Sequence, residues 1–131
     1  MEANVPDLLA RGAAWLDQQR SRHLTRTVTY LRGGDSVDLP ATIGQTTFEQ
    51  ADEYGVIRRT QSRDYLISAA DLVLAGVPEQ PRAGDRIRET AGEQILLYEV
   101  MAPGGEPPWR YSDPQRNTLR IHTKFIGMER T

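Results

Sequence analysis

Residues 25–43 read Thr-Arg-Thr-Val-Thr-Tyr-Leu-Arg-Gly-Gly-Asp-Ser-Val-Asp-Leu-Pro-Ala-Thr-Ile. Thr25–Leu31 is rich in Thr, Val and Tyr, side chains that suit a pleated, half-buried surface. Gly33-Gly34 supplies the positive φ of a tight turn. Val37, Leu39, Ala41 and Ile43 then alternate with Ser36, Asp38, Pro40 and Thr42, the two-residue period of a strand with one buried face. The stretch predicts a β-hairpin. Pro40 lacks an N–H, which predicts an edge position or a bulge in the second strand.

Upstream the period changes. Val5, Leu8, Leu9, Ala13 and Leu16 fall near one face of a 3.6-residue period, so a helix is expected from Val5 to about Arg22, capped by Asn4. Trp15 lies off that stripe. It either widens the buried face or meets a partner subunit. Downstream, residues 45–54 read as a polar, irregular loop in which Phe48 is the main apolar residue. Val56–Thr60 and Arg63–Ser68 read as strand segments, or as one strand with a break at Gln61-Ser62. Ser68–Leu72 fits a single helical turn capped by Ser68. Pro81–Asp85 is a turn that feeds Arg86–Glu89, and Ala91-Gly92-Glu93 turns into Gln94–Met101, a second hairpin. A Gly- and Pro-dense loop, Pro103–Pro108, precedes Trp109–Pro114. Thr118–Gly127 is the last strand, with Leu119, Ile121, Thr123 and Phe125 on one face and Arg120, His122, Lys124 and Ile126 on the other.

The expectation is a mostly β fold: a small β-barrel or sandwich of about six short strands with an N-terminal α-helix. At 131 residues the chain has room for one modest core, so a single domain over residues 1–131 is expected, the helix over 1–23 and the barrel over 24–131.

Net charge is −2, with both signs mixed along the chain, and no basic stripe marks a nucleic-acid binder. The absence of cysteine excludes disulfides, a thiolate zinc site and a cysteine nucleophile. His23 and His122 lack partners at metal-ligand spacing, so no metal and no cofactor is expected. No apolar run approaches the roughly 20 residues of a membrane span, and the first residues lack the pattern of a signal peptide, which points to a cytoplasmic product. Ser112, Asp113 and His122 are the one set from which a hydrolytic triad could be drawn, and a Ser-Asp pair is common in loops. Asp52-Glu53 could be read as an acid/base pair, yet adjacent side chains point apart and a solvated surface is the simpler reading. The chain is therefore not expected to be an enzyme.

Two loop regions are unusual for scaffolding alone. Trp, Tyr and Arg are enriched where proteins meet, and the segment from Trp109 through Arg110, Tyr111 and Asp113 holds all three types. Its plain alternative is that Trp109 and Tyr111 cover an open end of the barrel. Trp15, Phe48, Asp52, Glu53, Trp109, Arg110, Tyr111 and Asp113 are the expected partner-contact residues.

Pro81-Arg-Ala-Gly-Asp85-Arg-Ile, then Gly92, then Tyr98-Glu-Val100, then Thr118-Leu-Arg-Ile-His-Thr-Lys124 resemble the small head–tail joining proteins of tailed phages, the head-completion or stopper group. The resemblance covers about the C-terminal half. It implies a virion structural protein assembled in the host cytoplasm, a ring subunit of the neck that meets copies of itself, the portal or adaptor ring and tail proteins. DNA would pass through the lumen unread, and no membrane partner is implied. The family carries no catalytic residues to transfer. Adaptor, stopper and tail-completion positions all remain open. A different class of function, a small-barrel module for peptide or nucleic acid, would use Arg58, Arg59, Arg63, Trp109 and Tyr111 as a stacking and phosphate-contact surface.

Overall fold

The computed structural model describes residues 25–130. The expected helix over residues 1–23, with Trp15 and His23, lies outside them. Nine strands follow one another: β1 (Thr25–Arg32), β2 (Asp35–Ala51), β3 (Ile57–Ser68), β4 (Val73–Leu74), β5 (Val77–Pro78), β6 (Arg86–Ala91), β7 (Gln94–Val100), β8 (Trp109–Tyr111) and β9 (Thr118–Arg130). Helical structure among the described residues amounts to two 3-10 turns, Ala69–Asp71 and Pro103–Gly105. The fold is mostly β, as the alternation in residues 25–43 predicts.

The first hairpin forms in the expected register, from Thr25 opposite Thr42 to Arg32 opposite Asp35. Gly33 takes a φ of 59° in its turn. At Pro40 β2 has β1 as its one neighbour, because β3 joins only from Thr42 opposite Leu66. The position is locally an edge, where a proline is tolerated.

Four expectations need correction. Residues 45–51 are not a loop. They continue β2, which pairs with β3 without interruption from Thr42↔Leu66 to Ala51↔Ile57. The alternation is present but hidden, since Gln45, Thr47 and Glu49 are exposed while Thr46 and Phe48, on the face turned away from the core, are half-buried, and only one of those two covered positions is apolar. By the same ladder β3 has no break at Gln61-Ser62. The strands are also not all short: β2 runs for 17 residues, β9 for 13 and β3 for 12. Finally, Ser68 makes no side-chain cap on the first 3-10 turn. The Ala69 N–H is taken instead by the Asn117 carbonyl at 2.8 Å, so no cap is needed there.

The main sheet has seven strands in the order β3-β2-β1-β6-β7-β9-β8, and β3 pairs β9 as well, from Arg63↔Thr123 to Ser68↔Thr118. The ladders therefore run β1–β2–β3–β9–β7–β6 and return to β1. β7 and β8 lie end to end along β9, with residues 101–108 looping out opposite His122. Met101 N–H donates to the His122 carbonyl at 3.0 Å, and His122 N–H donates to the Pro108 carbonyl at 2.9 Å. β4 and β5 form a separate two-residue ladder.

Val28, Tyr30, Leu39, Ala41, Tyr65, Ile67, Ile87, Tyr98, Val100, Leu119 and Ile121 form the core with Leu72 and Leu74. Each large apolar side chain so buried contributes roughly 1.5–3 kcal/mol. The two innermost tyrosines keep their hydroxyls partnered: Tyr30 donates to Asp85 and Tyr65 donates to Glu89.

Candidate assembly surface

Tyr65 and Ile67 point into the core, so Ser62, Asp64 and Leu66 lie on the opposite face of β3. On β9 the same alternation puts Leu119 and Ile121 inside and Arg120 and His122 outside. These polar outer residues meet. Asp64 is fully buried and accepts hydrogen bonds from His122 Nδ1 at 2.9 Å, from Arg120 Nη1 at 2.7 Å, and from the hydroxyls of Ser62 and Thr46. Burial alone would raise its pKa. The bonds from His122, Ser62, Thr46 and Arg120 outweigh burial and hold the carboxyl well below the usual carboxylate range. The Phe48 ring meets the His122 imidazole edge-on at 5.0 Å and covers the cluster. Gly44 packs closely beside it, since a Cβ there would come within 3.2 Å of Arg120 Nη1 and 3.3 Å of Leu66 Cδ1.

This cluster is the root of a ribbon. Thr46–Ala51 of β2 and Ile57–Ser62 of β3 pair with each other alone among the described strands. A two-stranded ribbon is marginal by itself. Here it is braced at Phe48 by His122 and at Gln50, whose side chain touches Gly104 in the looped-out segment between β7 and β8. The tip is closed by Asp52. Its carboxylate accepts the N–H groups of Tyr54 and Val56, both at 2.9 Å, and its own N–H donates to the Val56 carbonyl at 2.9 Å. Gly55, at a φ of 78°, completes the turn. The ordered tip displays Tyr54, which is 82% exposed, together with exposed Val56 and Ile57.

Two further buried carboxylates are consumed by structure. Glu89 accepts Arg63 Nη2 on both oxygens at 2.8 Å, Tyr65 Oη at 3.0 Å and Arg26 Nη1 at 3.0 Å. Asp85 accepts Tyr30 Oη, the Arg32 guanidinium at 2.8 Å and the Arg82 N–H at 3.0 Å. Burial would raise the Asp85 pKa, but Arg32, Tyr30 and the Arg82 N–H lower it. Burial first, and Asp85 second, push the Tyr30 phenol above its ordinary value.

The expected contact residues divide. Phe48 is a lid on the cluster and Asp52 is the brace of the tip. Glu53 is exposed at the tip. Trp109 and Tyr111 pack edge-on at 5.0 Å against one another and against the core, the plainer of the two readings for that segment. Arg110 faces outward between them. Asp113 accepts the N–H groups of Asn117 and Thr118, at 3.0 and 2.8 Å, and so shapes the turn into β9. Trp15 lies outside the described residues. Ser112, Asp113 and His122 do not assemble, since Asp113 is held by backbone and His122 by Asp64. Ser62 also reaches His122 Nδ1, at 3.5 Å, but donates to Asp64. With that nitrogen given to the carboxylate, the imidazole is not positioned to take a proton from Ser62. Of the five residues of the alternative stacking surface, Arg63 is committed to buried Glu89 and Trp109 and Tyr111 pack against the core, while Arg58 and Arg59 are exposed.

Tyr54 falls at the end of the 45–54 segment that the sequence offers as a contact region, whereas Val56 and Ile57 read only as the start of a strand; their signal is an apolar pair directly after the Asp52–Gly55 turn. Among the described residues no group of three or more His, Cys, Asp or Glu side chains could hold a metal ion, and no helix is long and apolar enough to cross a membrane.

A family model described as phage head–tail joining protein matches residues 6–130. The chain belongs to this family. No curated protein matches it as a relative. As a head–tail joining protein it has a structural role in the phage neck and interacts with other head and tail proteins. The segments that carry the resemblance, Pro81–Ile87, Gly92, Tyr98–Val100 and Thr118–Lys124, all fall inside the matched span. In this head–tail joining protein they build the Asp85 turn, the β6–β7 hairpin and the start of β9.

Proposed function

We propose that this head–tail joining protein is a single-domain, non-catalytic ring subunit at the portal vertex, assembled in the host cytoplasm and seated between the portal or adaptor ring and the tail. Its closed circuit of ladders acts as a small barrel, and DNA passes through the ring without being read. The family match over nearly the whole chain carries this reading. Copies in a ring meet through heterologous contacts, in which one patch seats on a different patch of the next copy. The ribbon tip suits such a contact: it is apolar, solvent-exposed and ordered in advance by Asp52. Preorganisation lowers the entropy lost on docking.

Mixing the purified protein with portal-bearing, DNA-filled heads and imaging the vertex tests the role. Ring density added at the portal is the expected result. Intact heads with no added density would overturn the ring-subunit reading. The combined change Tyr54→Ser, Val56→Ser and Ile57→Ser should leave the fold intact and remove the density, and density that persists would exclude the tip as the contact.

A further inference from the structure

β8 is the outermost strand of the main sheet, with β9 as its one neighbour among the described strands. The bonding parity of that ladder shows which backbone groups are left over. His122 N–H donates to the Pro108 carbonyl and Ser112 N–H to the Thr118 carbonyl, both at 2.9 Å. Bonded and non-bonded residues alternate along an antiparallel pair, so Pro108, Arg110 and Ser112 turn their backbone groups to β9. Trp109 and Tyr111 turn their N–H and C=O groups to the opposite edge, where they meet no hydrogen-bond partner among the described residues. Such an edge is a template for one more strand.

The chain across from this edge cannot supply that strand. β6 and the turn before it flank β7 as far as Val100, whose carbonyl accepts Gly84 N–H and whose N–H donates to the Asp85 carbonyl, both at 2.8 Å. Upstream of those bonds, residues 78–82 stand apart from Tyr111 across a cleft of about 490 Å³, within the size range of ligand clefts. Pro78 and Pro81 line it and have no N–H to donate. Three further groups of this wall are already taken. Glu79 N–H donates to the Leu72 carbonyl at 3.0 Å, the Gln80 carbonyl accepts from Arg32 Nη2 at 2.6 Å, and Arg82 N–H donates to the Asp85 carboxylate at 3.0 Å. The wall is pinned away from β8, and the cleft is held open.

Charge selects the occupant. Arg82 lines the cleft, the Arg116 guanidinium lies 5.8 Å from the centre of the Tyr111 ring, and exposed Arg110 sits between Trp109 and Tyr111 on β8. Neither Arg110 nor Arg116 has a carboxylate partner among the described residues. Glu79, the acidic residue of the lining, is already held by Arg32 at 3.1 Å.

We propose that this cleft is a strand-addition site, in which an extended acidic segment of another protein lies along β8, exchanges backbone hydrogen bonds with Trp109 and Tyr111, and brings its carboxylates to Arg82, Arg110 and Arg116. In such additions the main-chain bonds give affinity and the side chains give specificity. The site is complete within one chain, so it belongs to the isolated protein and is tested apart from any role at the portal.

The test is an amide-resolved NMR titration of the isotopically labelled full chain with an acetylated, amidated heptapeptide of alternating Val and Glu, carried to millimolar concentration at low salt. The expected result is a set of shifts centred on the Trp109 and Tyr111 amides. Hydrogen exchange at those two should slow at least about fivefold, while Arg110, already bonded to β9, is unchanged. The same peptide with Lys in place of Glu should bind about tenfold more weakly, and so should the acidic peptide to the protein carrying Arg110→Glu and Arg116→Glu, since each exchanges exposed ion pairs for like charges. Unmoved Trp109 and Tyr111 amides, or shifts confined to other residues, would overturn the site. Equal binding of the lysine peptide would overturn the assignment of an acidic partner.

Discussion

Replacing Asp64 by Asn removes one charge from the root of the ribbon with little change of shape. The carboxylate is fully buried and accepts four hydrogen bonds, one from a guanidinium whose side chain is 23% exposed. Removing one member of a buried ion pair typically costs 3–5 kcal/mol. The lower end applies, because Arg120 can be rehydrated and the Asn amide oxygen still accepts from some of the donors. We expect a loss of about 3 kcal/mol at pH 7, or roughly 10 °C in Tm for a chain of this size. The sign of the pH dependence follows from the lowered pKa. Asp64 titrates lower in the folded protein than in the unfolded chain, where a carboxyl titrates near about 3.9. Its contribution is therefore fully present above that value and is lost as pH falls through the folded pKa. Urea unfolding followed by tryptophan fluorescence, run on both proteins at several pH values, measures the difference. The gap should be constant from pH 7 to about 5.5 and narrow below about pH 4. A gap under about 1 kcal/mol at pH 7, the scale of a single net hydrogen bond, would show that the cluster does not support the fold. So would a gap that fails to narrow in acid.

The triple serine change at Tyr54, Val56 and Ile57 should alter unfolding free energy by no more than about 0.5 kcal/mol per site, because exposed side chains far from the core contribute little; thermal melts check this alongside the head-binding assay. Phe48→Ala uncovers His122 and should cost about 2 kcal/mol, below the range for a fully buried phenylalanine, with faster hydrogen exchange in the 46–51 and 57–62 ladder. Gly104→Ala places a side chain at a φ of 58° and within 2.6 Å of Gln50 Nε2, and should lower stability by about 1 kcal/mol. Adding Gln50→Ala should recover the steric part and leave the backbone part, a partition that a double-mutant cycle reads directly.

Parts of this architecture were legible before any coordinates. Val37, Leu39 and Ala41 alternate with polar residues, and the hairpin they predict forms in register. Tyr98, Val100, Leu119 and Ile121 are apolar at the positions that face the core. Legibility failed where a covered position on the outer face holds a polar residue. Thr46 sits on the covered side of β2, and Ser62 and Asp64 on the covered side of β3, so the strand pattern disappears from the sequence although the ladder continues. Their burial comes from partners distant in the chain, Arg120 and His122, which a local period cannot reveal. Asp52 and Asp113 each bond backbone N–H groups two to five residues ahead, a turn-shaping role that their place in polar loops signals. The apolar tip begins directly after the acidic pair Asp52-Glu53. Fold is written mainly in alternation, while an assembly surface depends on which apolar residues the turns leave uncovered.

The loop between β7 and β8 has a consequence for how such a chain can change over time. Both backbone groups of His122 are already satisfied by the two shoulders of that loop, Met101 and Pro108. The strands on either side are thus anchored to β9 independently of whatever joins them. Residues can be gained, lost or exchanged between those anchor points without moving the alignment of any strand, so the joint is a natural graft site, open to diversification while the surrounding sheet keeps its geometry.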